Sequence, residues 1–100
     1  MWAMELSEFR AWLELQPASR EFSAGVVDSC PLACYLHDSG YPTAYVRPFQ
    51  YFLSKGTLGI PLPPWAAYVV FRVDGAGLRT LTVPQVQEIV DSINPRIGDR

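Results

Sequence analysis

Lysine, histidine and cysteine are scarce in this chain, and each scarcity closes off a class of function. Of its eight basic residues only Lys55 is a lysine; the seven arginines (Arg10, Arg20, Arg47, Arg72, Arg79, Arg96, Arg100) are scattered singly. No window gathers the basic cluster with which a protein tracks a phosphate backbone, so nucleic acid is not an expected partner. No run approaches the roughly 20 apolar residues of a membrane span, so a membrane is not expected either. The segment Met1-Trp2-Ala3-Met4-Glu5-Leu6 has neither a basic region nor a long apolar stretch, and no secretory signal is read in it. Two cysteines with no export signal point to a reducing, cytoplasmic compartment.

Catalytic constellations are equally sparse. Glu5, Glu8 and Glu14 read as a solvated helix face, as do Glu88 and Asp91, and no carboxylate pair suggests acid–base work. Gly75-Ala76-Gly77 follows a helix and lacks the lysine and further glycines of a phosphate-binding loop. The reading is therefore of a protein that is not an enzyme and needs no cofactor.

What is present is apolar, aromatic and punctuated by proline. One hundred residues make one domain, 1–100, with 96–100 as a loose tail. Charge, at 18%, lies below the usual roughly 25%. Nine prolines imply short elements joined by fixed corners. A first helix is predicted from Ser7, as N-cap, to Leu15, with Phe9, Trp12 and Leu13 on one face and Pro17 ending it. Residues 18–27 follow as a connector, with Phe22, Val26 and Val27 as core contacts. A second helix starts at Asp28 or Ser29, with Pro31 in its first turn and Gly40 just past its end.

Between Tyr41 and Ile60 the apolar period shortens. Thr43–Arg47, Gln50–Leu53 and Thr57–Ile60 read as short strands, with a turn at Ser54-Lys55-Gly56. Pro61-Leu62-Pro63-Pro64 turns the chain into a third helix at Trp65. Thr82-Val83-Pro84-Gln85 is a capping-box start for a fourth, striped by Val86, Ile89, Val90 and Ile93. The expected fold is a mainly helical α+β domain, four short helices around a small antiparallel β-hairpin.

Three groups of residues invite a functional reading. The window Asp28 to Asp38 holds both cysteines and the one histidine. On a helix, Cys30, Cys34 and His37 at i, i+4 and i+7 share one line, which suggests a metal site or a reactive thiol. Seven residues of helix rise about 10 Å, too far for bonds of about 2 Å to close on one ion from both ends. His37 is likewise two turns from Cys30, too far to act as its base, and two cysteines within one helix suit a disulfide poorly. The plainer reading buries Cys30 and Cys34 beside Leu32 and Leu36 and turns His37 to solvent. The segment Phe71 to Gln85 has an EF-hand outline. With Asp74 as first residue, however, Ala76, Leu78 and Gln85 fall where oxygen ligands belong, and Arg79 where glycine is required.

The third group is aromatic. Trp2, Trp12, Tyr41, Tyr45, Phe49, Tyr51, Phe52, Trp65, Tyr68 and Phe71 exceed what one small core comfortably hides, and interface centres are rich in such residues. Tyr45, Phe49, Tyr51 and Phe52, on strands that invite pairing with another chain, form the favoured binding surface. The expected function is thus a protein-interaction or regulatory accessory module that binds a protein partner or itself. The alternative is a small metal- or thiol-dependent regulator using Cys30, Cys34 and His37.

Two stretches carry a resemblance. Cys30-Pro31-Leu32-Ala33-Cys34-Tyr35-Leu36 and the later Leu62-Pro63-Pro64-Trp65-Ala66 segment resemble small bacterial or phage-borne proteins with a CPLA-x-YL helix and an LPPWA segment. The likeness covers about a third of the chain and consists of packing motifs. It brings no activity and no site residues.

Overall fold

Each helix is set by a start or a stop written in its own sequence, and a computed structural model describing residues 4–93 shows how they assemble. The order is α1 (Leu6–Glu14), β1 (Glu21–Ser23), α2 (Pro31–Asp38), β2 (Tyr45–Val46), β3 (Gln50–Phe52), β4 (Ile60–Pro61), α3 (Pro64–Asp74), β5 (Thr80–Thr82) and α4 (Val83–Asp91). The result is a small α+β domain with four helices and two antiparallel sheets among the described residues. Trp2 and the tail 96–100 lie outside those residues.

The N-cap of α1 lies two residues earlier than its sequence suggests. Glu5, not Ser7, is the N-cap; Ser7 lies inside the first turn, and the Phe9 N–H donates to the Glu5 carbonyl at 3.0 Å. α2 instead starts later than expected, at Pro31, after a turn in which the Ser29 and Cys30 amides both donate to the Val26 carbonyl. Cys30 takes the N-cap place expected of Asp28 or Ser29, and no side chain caps this end. Proline occupies the first position of both α2 and α3, where its missing N–H costs nothing.

The stop of α2 is a Schellman closure. The Tyr41 amide donates to the Leu36 carbonyl at 3.1 Å and the Gly40 amide to that of His37 at 3.2 Å. It requires the left-handed φ of +107° that Gly40 supplies. α4 starts on the predicted capping box. The Gln85 amide donates to Thr82 Oγ1 at 3.4 Å, and the Thr82 amide donates to Gln85 Oε1 at 2.8 Å.

The core lies where the four helices meet the β1–β5 ribbon. Phe9 and Leu13 of α1 and Leu32 and Leu36 of α2 are fully buried, as are Trp65 and Val69 of α3. Phe9 is the hub: its ring lies 5.4 Å from Tyr35, edge to face, and 5.5 Å from Trp65. Burying a side chain of that size contributes about 1.5–3 kcal/mol, and such ring pairs add about 0.5–1.5 kcal/mol.

The sheets follow expectation in one place and depart from it in another. The three short strands read between Thr43 and Ile60 pair as a meander in the order β2-β3-β4, the last one shifted from Thr57–Ile60 to Ile60–Pro61. The connector at 18–27, read as irregular, contains β1, which pairs with β5 in the register Phe22↔Leu81. Phe22 and Leu81 are both buried, whereas Val26 and Val27, expected in the core, are 43% and 44% exposed.

Candidate functional site

The β2–β3–β4 meander sorts its aromatics by the period of two that every strand imposes. Val46 and its cross-strand partner Tyr51 face inward, 4% and 2% exposed. Tyr45 and its partner Phe52 face outward and stack, with centroids 4.6 Å apart and planes within 9°. The Arg47 guanidinium sits 6.0 Å from the Tyr45 ring. At the hairpin tip Phe49 is 82% exposed, and in the loop before β4 Leu58 is 91% exposed. So of the four residues read as one binding surface, Phe49 is exposed, Tyr45 and Phe52 are half-buried on the outer face, and Tyr51 belongs to the core. Burial, and then the neighbouring Tyr41, push the Tyr51 hydroxyl above its ordinary pKa.

Gly59 shapes the outer face. A Cβ there would lie 2.8 Å from Gln50 Oε1 and 2.9 Å from Phe52 Cζ. Glycine is what lets the Phe52 ring lie over the neighbouring backbone and reach Tyr45.

The sheet edges are closed to strand addition, contrary to the expectation that they would invite pairing. On the β2 side, the Val46 amide points away from β3 and donates to the Val27 carbonyl at 2.8 Å. The neighbouring Ala44 carbonyl accepts from His37 Nε2 at 2.7 Å. His37 therefore does not face solvent freely, and because a carbonyl can only accept, Nε2 carries the proton. On the β4 side, the Leu62 amide donates to the Phe49 carbonyl, which places Pro61 with its nitrogen turned outward. Proline has no N–H to offer another strand.

Beside β2 the chain leaves an open groove of about 570 Å³. Its floor and walls come from Val27, Pro42, Ala44 and Tyr45, with His37 at the end of α2. Three charged side chains, Asp28, Arg47 and Lys55, reach it from three different segments. Among the described residues the ion pairs are Arg10–Asp91 and Arg20–Asp38, so neither Arg47 nor Lys55 has a carboxylate within pairing distance. This groove has no local signature, because its residues are spread from Val27 to Lys55 and meet only when β2 docks beside α2.

The Cys30–His37 window is built for packing. Cys30 is buried, and burial pushes its thiol up to about 11, outweighing the Ala33 and Leu32 amides at the helix N-terminus that pull it down. Cys34 is half-buried and its thiol donates to the Ser29 carbonyl at 3.6 Å. Burial raises the Cys34 pKa as well, against the opposing charge of Arg20. Both cysteines are free thiols. Among the described residues no three His, Cys, Asp or Glu side chains are grouped to hold a metal ion. In the EF-hand-like segment, Asp74 Oδ1 accepts from the Gly25 amide at 3.1 Å and ties that loop to the β1 turn.

A polar cluster that the sequence reading did not identify joins α1, the connector and the end of α2. Asp38 Oδ2 accepts from the Trp12 indole at 2.9 Å and from Arg20 Nη1 at 3.0 Å. The guanidinium lies 5.3 Å from the centroids of both Trp12 and Phe22 and also donates to Gln16. Burial would raise the Asp38 carboxyl, but hydrogen bonds from Arg20 and Trp12 outweigh it and hold the group below its ordinary pKa. The available signal was Trp12 itself, since an indole N–H on a half-buried face needs an acceptor.

Among the described residues, no helix is long and apolar enough to cross a membrane. No protein-family model matches the chain, and neither a curated protein nor a solved structure is significantly similar to it.

Proposed function

We propose that the chain is a non-catalytic interaction module that holds a protein surface, in the simplest case a second copy of itself, against the outer face of its meander. The observation that carries this reading is the stacked Tyr45–Phe52 pair flanked by Phe49, which is 82% exposed. Large, rigid aromatics lose little conformational entropy when covered, and they dominate the energetics of interface centres. Arg47 beside Tyr45 adds the other residue type enriched at such centres. With both sheet edges closed, contact runs through side chains on the face and not through added strands.

The thiol- or metal-dependent alternative has less support. Cys30 is buried, Cys34 half-buried, and one nitrogen of His37 is committed to the Ala44 carbonyl. The test compares wild type with Phe49→Ser and Phe52→Ala by sedimentation equilibrium and by affinity capture, with Phe71→Ser as an exposed control on α3. Association lost in the meander variants and kept in Phe71→Ser is the expected result. Association unchanged in both meander variants would remove the face from consideration.

A further inference from the structure

We propose that the groove beside β2, whose lining shares Tyr45 and Arg47 with the meander face, is a binding site for a small, singly charged organic anion, a carboxylate on an apolar body. Three features of the groove lead to this class of ligand. Its volume of about 570 Å³ falls within the roughly 300–1,000 Å³ of small-molecule sites. Its lining alternates apolar surface (Val27, Pro42, Ala44, the Tyr45 ring) with few charges, so the body of the ligand is apolar. Its two cations, Arg47 and Lys55, lack carboxylate partners among the described residues, in a protein whose net charge is −2.

An arginine fork matches a carboxylate in two parallel hydrogen bonds, and a lysine adds an adaptable point charge. Asp28 lines the same groove and sets the limit on ligand charge. A dianion such as a phosphate monoester would meet its repulsion twice over, whereas a monoanion with a hydroxyl or amine donor would satisfy it. His37 holds the wall in place: its bond to the Ala44 carbonyl ties the end of α2 to the start of β2, which fixes the groove before any ligand arrives.

The experiment is an NMR titration of the uniformly ¹⁵N-labelled full chain with benzoate, with benzamide as the neutral isostere and phenyl phosphate as the dianion. Saturable shifts are expected at the Thr43, Ala44 and Arg47 amides with benzoate, and weaker binding with both other probes. Arg47→Gln and Lys55→Gln, at exposed positions, should each weaken benzoate binding roughly three- to fivefold, the size of an exposed ion pair. Arg79→Gln, an exposed position outside the groove, should leave it unchanged. Equal binding of benzoate and benzamide, tighter binding of phenyl phosphate, or the same loss in Arg79→Gln as in Arg47→Gln would each overturn the proposal. So would an absence of shifts at the groove amides up to the solubility of benzoate.

Discussion

A single methyl group added at Gly59 tests the construction of the outer face. Gly59 adopts no left-handed φ, so alanine suits the backbone and the whole penalty lies in the side chains it meets. Two neighbours are in the way, at 2.8 Å (Gln50 Oε1) and 2.9 Å (Phe52 Cζ). Gln50 is exposed and can swing aside at little cost. Phe52 cannot, because its ring is stacked on Tyr45. Tilting it away forfeits an aromatic pair of about 0.5–1.5 kcal/mol. Against that, replacing glycine by alanine reduces the freedom of the unfolded chain and stabilises by about 0.4–1 kcal/mol. Gly59→Ala should therefore fall between a gain of about 0.5 and a cost of about 1 kcal/mol, a fall in Tm of at most roughly 8 °C. Thermal unfolding of Gly59→Ala, Phe52→Ala and the double variant reads the coupling. In the Phe52→Ala background the ring is gone, so the alanine should be neutral or stabilising by about 0.4–1 kcal/mol. An equal penalty in both backgrounds would refute the assignment of Gly59 to the ring stack.

Four further outcomes are expected. Tyr51→Ala, at a position 2% exposed, should cost about 3–5 kcal/mol and abolish cooperative unfolding, while Tyr51→Phe is far milder; a fully folded Tyr51→Ala by circular dichroism would contradict its place in the core. A carboxylate with a lowered pKa contributes stability that is present above its unfolded value, about 3.9, and lost as pH falls through the lower folded value. The stability gap between wild type and Asp38→Asn should thus be steady near neutrality and close below about pH 4. It should reach at most about 1 kcal/mol, because the side chain is 41% exposed and its ion pair is screened; urea midpoints that differ equally at both ends of the range would refute this. Thr82→Ala should destabilise by about 0.5–2 kcal/mol through loss of the α4 cap, and a null effect on the thermal midpoint would show that the cap is idle. Under native labelling at about pH 8, roughly one Cys30 thiol in a thousand is ionised given a pKa of about 11, so peptide mapping should find Cys34 modified first; preferential labelling of Cys30 would contradict its burial.

The elements legible in the sequence are those whose signals are local. Pro31 and Gly40 bracket α2, Thr82 and Gln85 open α4, and the Val86–Ile89–Val90–Ile93 stripe marks its buried face; all of these stand as read. The ribbon of β1 and β5 was not legible. Each strand shows one inward residue, Phe22 or Leu81, and the two are 59 positions apart, so neither segment carries enough alternation to reveal a pairing. The same limit applied to the aromatic run, in which Tyr51 and Phe52 are adjacent in sequence yet face opposite sides of the sheet.

By itself, then, the sequence determined a helical α+β domain with the cap of α4 and the stop of α2, because these depend on residues within one turn of each other. The tertiary structure alone decided which aromatics stay outside and that the sheet edges close on Val27, His37 and Pro61. It also decided that Asp28, Arg47 and Lys55 share a groove. Those outcomes rest on contacts between segments far apart in the chain, whose registers are set by packing and not by the preferences of neighbouring residues.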